Sequence, residues 1–496
     1  MKTDATLIFE KSRSKRKAVS FSDYPYDGHS PFEELDQTLL REEPARLPEV
    51  SELDVLRHYT NMSQKNFGVE NGFYPLGSCT MKYNPKINDE IQNFPAFKNA
   101  HPDQPASSVQ GILTIYHELA NHLSEISGMA EISLNPCAGA HGELVGLMIM
   151  KAYHEKNGDY KRTKVIVPDS AHGTNPASTS VAGMDVVEIE STDEGRVKLS
   201  SLKEALGDDI AGMMLTNPNT LGIFEKDICK ITDMVHEAGG LMYYDGANLN
   251  AMLGKVRPGD MGFDILHLNL HKTFSTPHGG GGPGSGPVGV CEPLKAFLPS
   301  PRVRKHDGDY YLEETNAGIG RVTFHLGNVL VWIRAYAYVL TLGHENIKDI
   351  GPLATLNANY VRELLRDEYQ LPISSYCMHE CVFDGLKDNP HGVRTLDVAK
   401  RLIEQGMHAP TIYFPLLFKE AIMIEPTETE SKETLDRFAS LMKTIAQEAI
   451  DHPDVLKNAP QKTPVKRIDE VFAARKLILS YQDYLNYKKD DETLDF

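Results

Sequence analysis

The residues best suited to covalent chemistry stand in the segment His267-Leu-Asn-Leu-His-Lys-Thr-Phe-Ser-Thr-Pro-His-Gly-Gly-Gly-Gly282. An apolar run that ends near Leu268 predicts a strand, and Lys272 follows at once in a loop that leads into glycines. The carboxyl ends of parallel strands are where α/β sheets bind their ligands. A lysine at such an end, flanked by His271 and His278 and partly shielded from water, can present the neutral amine that attacks a carbonyl. Lys272 is therefore a candidate Schiff-base lysine, although the segment on its own fits a surface lysine in a glycine loop at least as well.

A second candidate, Asp245, lies in Tyr243-Tyr-Asp-Gly-Ala-Asn248 at the end of another apolar run, one crossover before Lys272. Pyridoxal phosphate requires a carboxylate at its pyridine nitrogen, which keeps the ring protonated as an electron sink. A lone aspartate after a strand is more often a turn former or a helix cap. Combined with a lysine at the next strand end, it indicates this cofactor.

Three further segments fall where such a cofactor needs polar groups. The small-residue loop Pro136-Cys-Ala-Gly-Ala-His-Gly-Glu143 opens a predicted helix, whose free N–H groups form an anion site suited to a phosphate. His172 follows a predicted strand and could stack on the ring, and Asn217 follows another and could bond the ring hydroxyl. Each signal is weak alone, but together they converge on the chemistry of one ligand.

Three other motifs fit their surroundings poorly. Gly284-Ser-Gly-Pro-Val-Gly289 has the spacing of a dinucleotide fingerprint, but it runs into an apolar stretch and not into a helix. A P-loop is excluded because Lys272 precedes the glycines. Cys377-Met-His-Glu-Cys381 could bind a metal, but no second ligand pair stands at zinc-site spacing, which favours structural cysteines.

The elements that must position these residues alternate between strand and helix from about residue 105 onward. Short apolar runs predict buried strands at 164–167, 185–189, 210–215, 241–244 and 265–268. Helical periodicity predicts helices at 109–127, 142–157, 200–206, 226–238 and 328–342. This alternation predicts an α/β fold with a mostly parallel sheet covered by helices on both faces.

We expect four regions along the chain. They are an extended N-terminal arm rich in turn formers (1–95), a large domain (96–345), a smaller α+β C-terminal domain (346–470) and a charged peripheral tail (471–496). In the third region, Thr427-x-x-Glu430 predicts a capping box ahead of a helix from about Lys432 to Glu448.

Composition narrows the class of protein. The 496 residues are 41% hydrophobic and 24% charged, the balance of an ordinary globular chain. Lys and Arg total 51 against 69 for Asp and Glu, a formal charge of −18 that disfavours nucleic-acid and membrane-surface binding. No export signal and no bilayer-spanning apolar run is recognised, and six scattered cysteines favour a reducing, cytoplasmic location.

Several long motifs resemble the P-protein family of the glycine cleavage system. They are Asn71-Gly-Phe-Tyr-Pro-Leu-Gly-Ser-Cys-Thr-Met-Lys82, Cys137-Ala-Gly-Ala-His-Gly-Glu143, Tyr244-Asp-Gly-Ala-Asn248, His267-Leu-Asn-Leu-His-Lys-Thr-Phe274, Pro410-Thr-Ile-Tyr-Phe-Pro415 and Glu425-Pro-Thr-Glu-Thr-Glu-Ser-Lys-Glu433. These motifs span nearly the whole chain. One departure stands in the arm, where Arg13-Ser-Lys15 replaces the usual Arg-Pro-Gly. In this family a chain of this length is one half of a split enzyme.

The resemblance implies the fold of the aspartate-aminotransferase-like (fold type I) pyridoxal-phosphate enzymes. It implies that Lys272 and His172 are catalytic, with Lys272 holding the cofactor as a Schiff base and His172 stacking on the ring. Asp245 would pair with the pyridinium. The remaining predicted cofactor contacts are Ala138, Gly139 and Ala140 at the phosphate, together with Ala247, Asn217, Asn269 and His271.

The reaction implied is decarboxylation of glycine on pyridoxal phosphate, with transfer of the aminomethyl group to the lipoyl arm of the H-protein. This is an oxidoreductase step of glycine catabolism. The implied partners are glycine, the lipoylated H-protein and glycine dehydrogenase subunit 1, the last in an α2β2 heterotetramer.

Two alternatives stay open. Another fold type I enzyme, such as an aminotransferase or a different amino-acid decarboxylase, would use the same site elements. A cofactor-free regulatory or scaffolding subunit is the other, although it would not need the lysine. Arg321 and Arg334 qualify by charge alone to orient a substrate carboxylate. The segment from Phe73 to Tyr83 fits either a wall of the active site or a structural linker.

Overall fold

The computed structural model describes residues 6–19, 35–43, 45–315 and 317–490, and its central feature is a seven-stranded sheet. The strands are β1 (Glu131–Ser133), β2 (Lys164–Pro168), β3 (Asp185–Ile189), β4 (Ile210–Thr216), β5 (Leu241–Gly246), β6 (Ile265–Leu268) and β7 (Val288–Val290). Their spatial order is β1-β7-β6-β5-β4-β2-β3. Strands β2 to β6 pair in parallel, and β7 pairs antiparallel with both β6 and β1.

This sheet confirms all five predicted strands, each to within two residues. The sequence did not indicate β1 and β7 as strands, because three residues are too few to display a period of two. The resulting sheet is mostly parallel, as predicted, with antiparallel pairing confined to β7 and its neighbours.

The register of the parallel strands brings their carboxyl ends together. Asp245 of β5 lies opposite Thr216 of β4 on one side and His267 of β6 on the other. Parallel strands deliver side chains to a common edge. Residues that are far apart in the sequence therefore meet at one end of the sheet.

Helices cover both faces of the sheet. In chain order the helices are α1 (Glu52–Ser63), α2 (Lys86–Gln92), α3 (Pro95–Lys98), α4 (Gln110–Ser127), α5 (Gly139–Lys156), α6 (Thr174–Val181), α7 (Leu199–Ala205), α8 (Ile228–Glu237), α9 (Val329–Asn346), α10 (Ile350–Leu365), α11 (Thr395–Glu404), α12 (Lys432–Asp451), α13 (Pro453–Lys457), α14 (Glu470–Arg475) and α15 (Tyr481–Asp490). Successive strand residues point to opposite faces. Tyr243 accordingly packs with the apolar residues of α5, whereas Tyr244 packs with those of α4, α8 and α9.

The predicted helices are confirmed, with three bounds that differ by three residues or more, one of them the end of α12 at Asp451 instead of about Glu448. Helix α5 begins at Gly139, three residues before the predicted start, and α9 runs four residues beyond the predicted end at Leu342. The earlier start of α5 brings Gly139 and Ala140 into the first turn of the helix.

A second apolar core lies in the C-terminal part of the chain. A three-stranded antiparallel sheet of β10 (Cys381–Asp384), β12 (Ala421–Ile424) and β11 (Thr411–Ile412) packs with α10, α11 and α12. An antiparallel hairpin of β8 (Arg302–His306) and β9 (Asp309–Glu313) completes the strands of the described chain. Short 3₁₀ helices connect several of these elements.

The predicted capping box at Thr427-x-x-Glu430 is wrong. The N-cap of α12 is Ser431, whose hydroxyl accepts from the N–H of Thr434 at 3.2 Å. A capping residue stands immediately before the first helical residue. Thr427 lies too far upstream, in a left-handed conformation with φ of 64°.

The described chain divides into two units. One unit holds residues 69–460, with every strand named above, and the other combines the described residues up to Gly68 with those from Gln461 onward. In the second unit the ring of Phe9 stacks on that of Tyr481, with the centroids 4.6 Å apart. The four-region division with limits at 95, 345 and 470 stays a prediction. No helix among the described residues is long and apolar enough to cross a membrane.

Candidate active site

A cavity of about 180 Å³ lies at the carboxyl ends of β4, β5 and β6. The predicted site residues that line it are Lys272, His172, Asp245, Ala247, Gly139, Ala140, Asn269 and His271. Ala138 and Asn217 are adjacent in sequence to lining residues but do not line the cavity themselves. The structure therefore brings most of the predicted site together in one place.

Lys272 sits in a tight turn that follows β6. Its N–H donates to the carbonyl of Asn269 at 3.1 Å, and the hydroxyl of the next residue, Thr273, accepts from the N–H of Leu249 at 2.8 Å. These bonds tie the turn both to itself and to the segment that follows β5. The lysine is thereby held at the strand end, partly buried, on the cavity wall.

Asp245 is a buried carboxylate with several donors around it. Its Oδ2 accepts from Asn175 Nδ2 at 2.9 Å and its Oδ1 from the N–H of Ala247 at 3.0 Å, while His267 Nε2 lies 3.5 Å from Oδ1. Burial by itself raises the pKa of Asp245. The nearby His267 and the bond from Asn175 more than offset burial, so the net pKa lies below its ordinary value. The cavity therefore contains a carboxylate that stays ionised at neutral pH.

Glu143 in α5 is a second buried carboxylate close to Asp245. It accepts from the hydroxyls of Thr174 at 2.8 Å and Ser178 at 3.0 Å, and from Asn175 Nδ2 at 3.2 Å. The amide of Asn175 is thus shared by Glu143 and Asp245. The start of α6 is held against α5 and β5 by these bonds, which fix the direction of the Asp245 carboxylate.

The first turn of α5 faces the cavity. The N-cap is Ala138 and the helix starts at Gly139, so the N–H groups of this turn have no acceptor within the helix. A Cβ on Gly139 would lie 2.5 Å from Asn269 Oδ1, too close for any other residue type without displacement of that amide. Asn269 Oδ1 is itself buried without a hydrogen-bond partner. This corner offers helix N–H donors to an anionic ligand, and the Asn269 oxygen is an acceptor for a donor group of the ligand.

His172 lines the cavity from the loop after β2. Its Nδ1 accepts from the N–H of Thr174 at 3.2 Å, and its ring meets that of Phe414 edge-on at 5.4 Å. Asn217 is fully buried after β4, where its Oδ1 accepts from the N–H of Glu225 at 2.9 Å. Its Nδ2 has no partner. A direct contact of Asn217 with a bound ring stays a prediction.

Two further histidines beside Lys272 are held neutral. The rings of His271 and His278 are 5.2 Å apart and nearly perpendicular. Burial, with repulsion from His278 and Lys272, lowers the pKa of His271 to about 3. Burial and Lys272 likewise lower the pKa of His278 to about 4. Neither ring adds positive charge to the site at neutral pH.

The opposite wall of the cavity comes from two distant parts of the chain. Ser78, from the predicted arm, lines the cavity together with His379 and Glu380, which precede β10. The N–H of Ser78 donates to Glu380 Oε2 at 2.8 Å. The segment from Phe73 to Tyr83 therefore contributes to the wall of the cavity.

Buried polar contacts hold this segment in place. Thr80 donates through its N–H and its hydroxyl to Glu425, at 3.0 and 2.8 Å. Lys82 is 2% exposed and binds Glu428 Oε1 at 2.7 Å and the hydroxyl of Tyr338 at 3.0 Å. Burial lowers the pKa of Lys82, but Glu428 and Tyr338 raise it more, so the net pKa lies above its ordinary value. A segment without regular structure is thus anchored by charged groups.

Curated proteins similar to this chain match it almost from end to end. A probable glycine dehydrogenase (decarboxylating) subunit 2 of Caldanaerobacter subterraneus subsp. tengcongensis is 58% identical over 478 residues, which cover 96% of this chain and 98% of that protein. A protein of the same name from Alkaliphilus oremlandii is 55% identical and covers 97% of this chain and 99% of its own length. The chain belongs to the glycine dehydrogenase (decarboxylating) subunit 2 family.

Family matches to parts of the chain agree with this membership. Residues 351–466 match the family described as glycine dehydrogenase, C-terminal domain, and residues 147–281 match aminotransferase class-V. The segment of the second match contains β2 to β6 together with Lys272.

Solved structures with the same fold confirm the fold class. A glycine decarboxylase (P-protein) of the glycine cleavage system superposes with a TM-score of 0.70 at 20% identity, covering 84% of this chain and 94% of that one. A glutamate decarboxylase of Lactobacillus brevis superposes with a TM-score of 0.64 at 12% identity, covering 85% of this chain and 97% of that one. The predicted fold type I α/β architecture, with a smaller C-terminal part, is confirmed, and this fold family is dependent on pyridoxal phosphate.

The cavity suits the pyridoxal phosphate of that fold family. A lysine, an ionised carboxylate, a helix start and an unpartnered amide oxygen surround one small volume. Lys272 could hold the aldehyde carbon, Asp245 the ring nitrogen, and the first turn of α5 the phosphate. His172 could stack against the ring.

The two arginines proposed from charge alone lie elsewhere. Arg321 forms an ion pair with Glu314, and Arg334 Nε binds Asp89 Oδ1 at 2.7 Å. Neither lines the cavity.

The cysteines of the Cys-x3-Cys motif are buried and form no disulfide. Burial raises the pKa of Cys377 to about 12, so its thiol stays protonated at neutral pH.

Several residues of the site were not identified from the sequence. Glu143 stands in a quoted motif, but nothing in the sequence shows that it shares an amide with Asp245. Asn175 and His267 support Asp245 from two different elements. His379 and Glu380 are more than 100 residues from Lys272, and only the fold brings them to the same cavity. A charged residue inside an apolar helix is the one signal that could have singled out Glu143.

Proposed function

We propose that this chain decarboxylates glycine with pyridoxal phosphate bound at Lys272 and transfers the aminomethyl group to a lipoyl disulfide. The bound cofactor supplies an electron sink that accepts the electron pair released when carbon dioxide leaves. The family membership of the chain and the chemistry of its cavity both support this proposal.

Several residues of the chain would each bind a different part of the cofactor. Lys272 would hold the cofactor through its side-chain amine. Asp245 holds a proton on the ring nitrogen, and its low pKa keeps it ionised for that purpose. His172 orients the ring from one face. Gly139 and Ala140 offer backbone donors to the phosphate, supported by Ala138 as the N-cap of α5.

The overall reaction balances without an external oxidant. The bond between the α-carbon and the carboxylate of glycine breaks, and a bond from that carbon to one sulfur of the disulfide forms. The S–S bond breaks, so the second sulfur leaves with the electron pair and takes a proton to become a thiol. The disulfide is thus reduced while the glycine carbon is oxidised.

Two partners belong to this proposal. Relatives named as a second subunit support a first subunit as the other half of the enzyme, in an α2β2 assembly. The lipoyl group requires a carrier, which is the lipoylated H-protein.

The cysteines form no disulfides among the described residues, which supports a cytoplasmic location for this chain.

The proposal rests mainly on one observation. Lys272, Asp245 and the start of α5 line the same cavity. We expect the purified chain, with its partner subunit and pyridoxal phosphate, to absorb visible light. Borohydride should bleach it and leave the label on Lys272, as peptide mapping would detect. Lys272→Ala should abolish both the label and release of carbon dioxide from glycine.

The matched control is Lys255→Ala, at an exposed lysine outside the cavity. It should keep the absorbance, the label and the activity. Wild-type decarboxylation by Lys272→Ala would contradict the assignment. Formation of a keto acid from an amino acid, without release of carbon dioxide, would indicate an aminotransferase instead.

A further inference from the structure

The cavity must also hold the carboxylate of its substrate, and the usual residue for that purpose is absent from its walls. No arginine is among the described residues that line the cavity. Lys272 is committed to the cofactor under the proposed function, on which this inference rests. Another side chain must therefore meet the negative charge of glycine.

His379 has an unused donor at this wall. It is 3% exposed and lines the cavity, and its Nε2 lies 3.5 Å from Glu380 Oε1. Its Nδ1 is buried without any hydrogen-bond partner. A buried polar atom without a partner costs free energy unless a ligand or water satisfies it. His379 thus stands on the wall of the cavity with one ring nitrogen whose hydrogen-bonding capacity no protein group uses.

The charges around His379 favour its protonated form. Two carboxylates, Glu380 and Glu425, and one cation, Lys272, act on the ring. Burial lowers the pKa of His379, but the two carboxylates outweigh burial, so the net pKa lies above its ordinary value. The imidazolium carries protons on both nitrogens. One points to Glu380, and the other remains on Nδ1.

The neighbouring groups hold this pair in position. Glu380 Oε2 accepts from the N–H of Ser78 at 2.8 Å, as described above. The oxygens of Glu425 accept from Thr80, and Oε1 also accepts from Asn248 Nδ2 at 2.7 Å. The polar atoms of His379, Glu380 and Glu425 lie within 4.8 Å of one another, so the three side chains form one compact buried cluster.

The other histidines of the cavity do not offer an equivalent donor. His271 is neutral because its pKa is lowered to about 3. Nδ1 of His172 accepts from Thr174, and the proposed function already assigns this ring to stacking on the cofactor. Among the histidines that line the cavity in the described chain, His379 alone is placed beside buried carboxylates that maintain its charge.

We propose that His379 binds the carboxylate of glycine through Nδ1–H, with Glu380 and Glu425 as positioning residues that keep the ring oriented and charged. A single N–H contact holds a carboxylate less firmly than the paired donors of an arginine. Looser retention suits a reaction in which the same carboxylate must leave as neutral carbon dioxide.

The test compares two amines that differ only in the carboxylate. Glycine and methylamine are titrated into the holoenzyme with its partner subunit, and binding is followed by the visible absorbance of the cofactor. His379→Gln should weaken glycine binding about 10- to 100-fold, the loss expected for a hydrogen bond between charged groups. Methylamine binding should stay unchanged. His306→Gln, at an exposed hairpin turn, is the matched control and should alter neither amine.

Glu380→Gln gives a second measurement if the first variant does not fold. A raised pKa means that the positive charge of His379 is present at low pH and is lost as the pH rises through that pKa. Removing the Glu380 charge should lower the pKa, so the preference for glycine over methylamine should decline at a lower pH than in the wild type. Binding is expressed per deprotonated amine, which removes the titration of the ligands.

The outcomes separate this inference from the proposed function. A wild-type enzyme that binds cofactor and glycine, with His379→Gln or Glu380→Gln variants that keep its full preference for glycine at every pH, would overturn the role of His379 alone. A wild-type enzyme that binds no pyridoxal phosphate would overturn both. Equal weakening of glycine and methylamine would also contradict the inference, because it would indicate a general disturbance of the site.

Discussion

At the scale of single residues, the site depends on buried charges that share a small number of donors. Glu143 and Asp245 are both less than 5% exposed, and both accept from the amide of Asn175. A buried carboxylate is tolerated only when hydrogen bonds replace its hydration. Glu143 has three such bonds, from Thr174, Asn175 and Ser178. Its role is to fix Asn175, which in turn fixes Asp245.

Replacing this acceptor tests the arrangement. Glu143→Gln keeps the shape but places an N–H2 group against donors, so we expect a loss of about 1–3 kcal/mol in the free energy of unfolding. The affinity for pyridoxal phosphate should fall as well, because Asp245 loses its support. Urea denaturation and fluorescence titration of the cofactor would measure the two effects. Glu155→Gln, at an exposed position of the same helix, should change the free energy of unfolding by less than about 0.5 kcal/mol.

The two residues with distinct chemistry, Lys272 and Asp245, were predictable because each follows an apolar strand in a recognisable local pattern. The residues that orient them were not. Glu143 reaches Asp245 only through Asn175, on a different helix, and His379 lines the same cavity as Lys272 although more than 100 residues separate them in the sequence. A single sequence does not show which distant residues come into contact. These contacts become visible only in the folded structure.

At the scale of elements, the start of α5 determines the shape of the site proposed for the phosphate. This helix lies against β6 and the turn after it, so its first turn approaches Asn269 closely. Only a residue without a side chain fits there. The sequence indicated a helix with small residues at its start, but its true beginning at Gly139 became evident only from the structure.

A pair of glycine substitutions separates this contact from general helix effects. Gly139→Ala should displace Asn269 and cost about 1–3 kcal/mol in cofactor binding or unfolding, the range for overfilled packing. Gly111→Ala, in α4, has no atom within 4 Å of the added Cβ and should leave the stability unchanged or slightly higher. Cofactor titration and thermal unfolding measure both variants. Equal behaviour of the two would refute the close approach to Asn269.

Element bounds were predicted well where the periodic pattern was long. The five central strands and the flanking helices matched because each buries a continuous apolar face. The prediction of the α12 N-cap was wrong because Thr427 and Ser431 both have side chains suited to capping. In the structure the N-cap is Ser431. Local sequence cannot decide between two such residues.

At the scale of the whole molecule, everything that surrounds the cavity lies within residues 69–460. All lining residues, all three sheets and all three apolar clusters belong to this unit. A fragment of 69–460 should therefore fold and bind pyridoxal phosphate. Circular dichroism during urea denaturation and cofactor absorbance would measure this. An unfolded or cofactor-free fragment would mean that the remaining residues are needed for the cavity.

The cavity takes its cofactor-facing groups from the large sheet and its opposite wall from Ser78, His379 and Glu380. The proposed roles therefore place substrate choice and reactive chemistry in separate stretches of the sequence. Substitutions in the wall formed by Ser78, His379 and Glu380 could change which amine binds without any change at Lys272. A scaffold divided in this way allows the wall formed by Ser78, His379 and Glu380 to change while the groups proposed to face the cofactor stay the same.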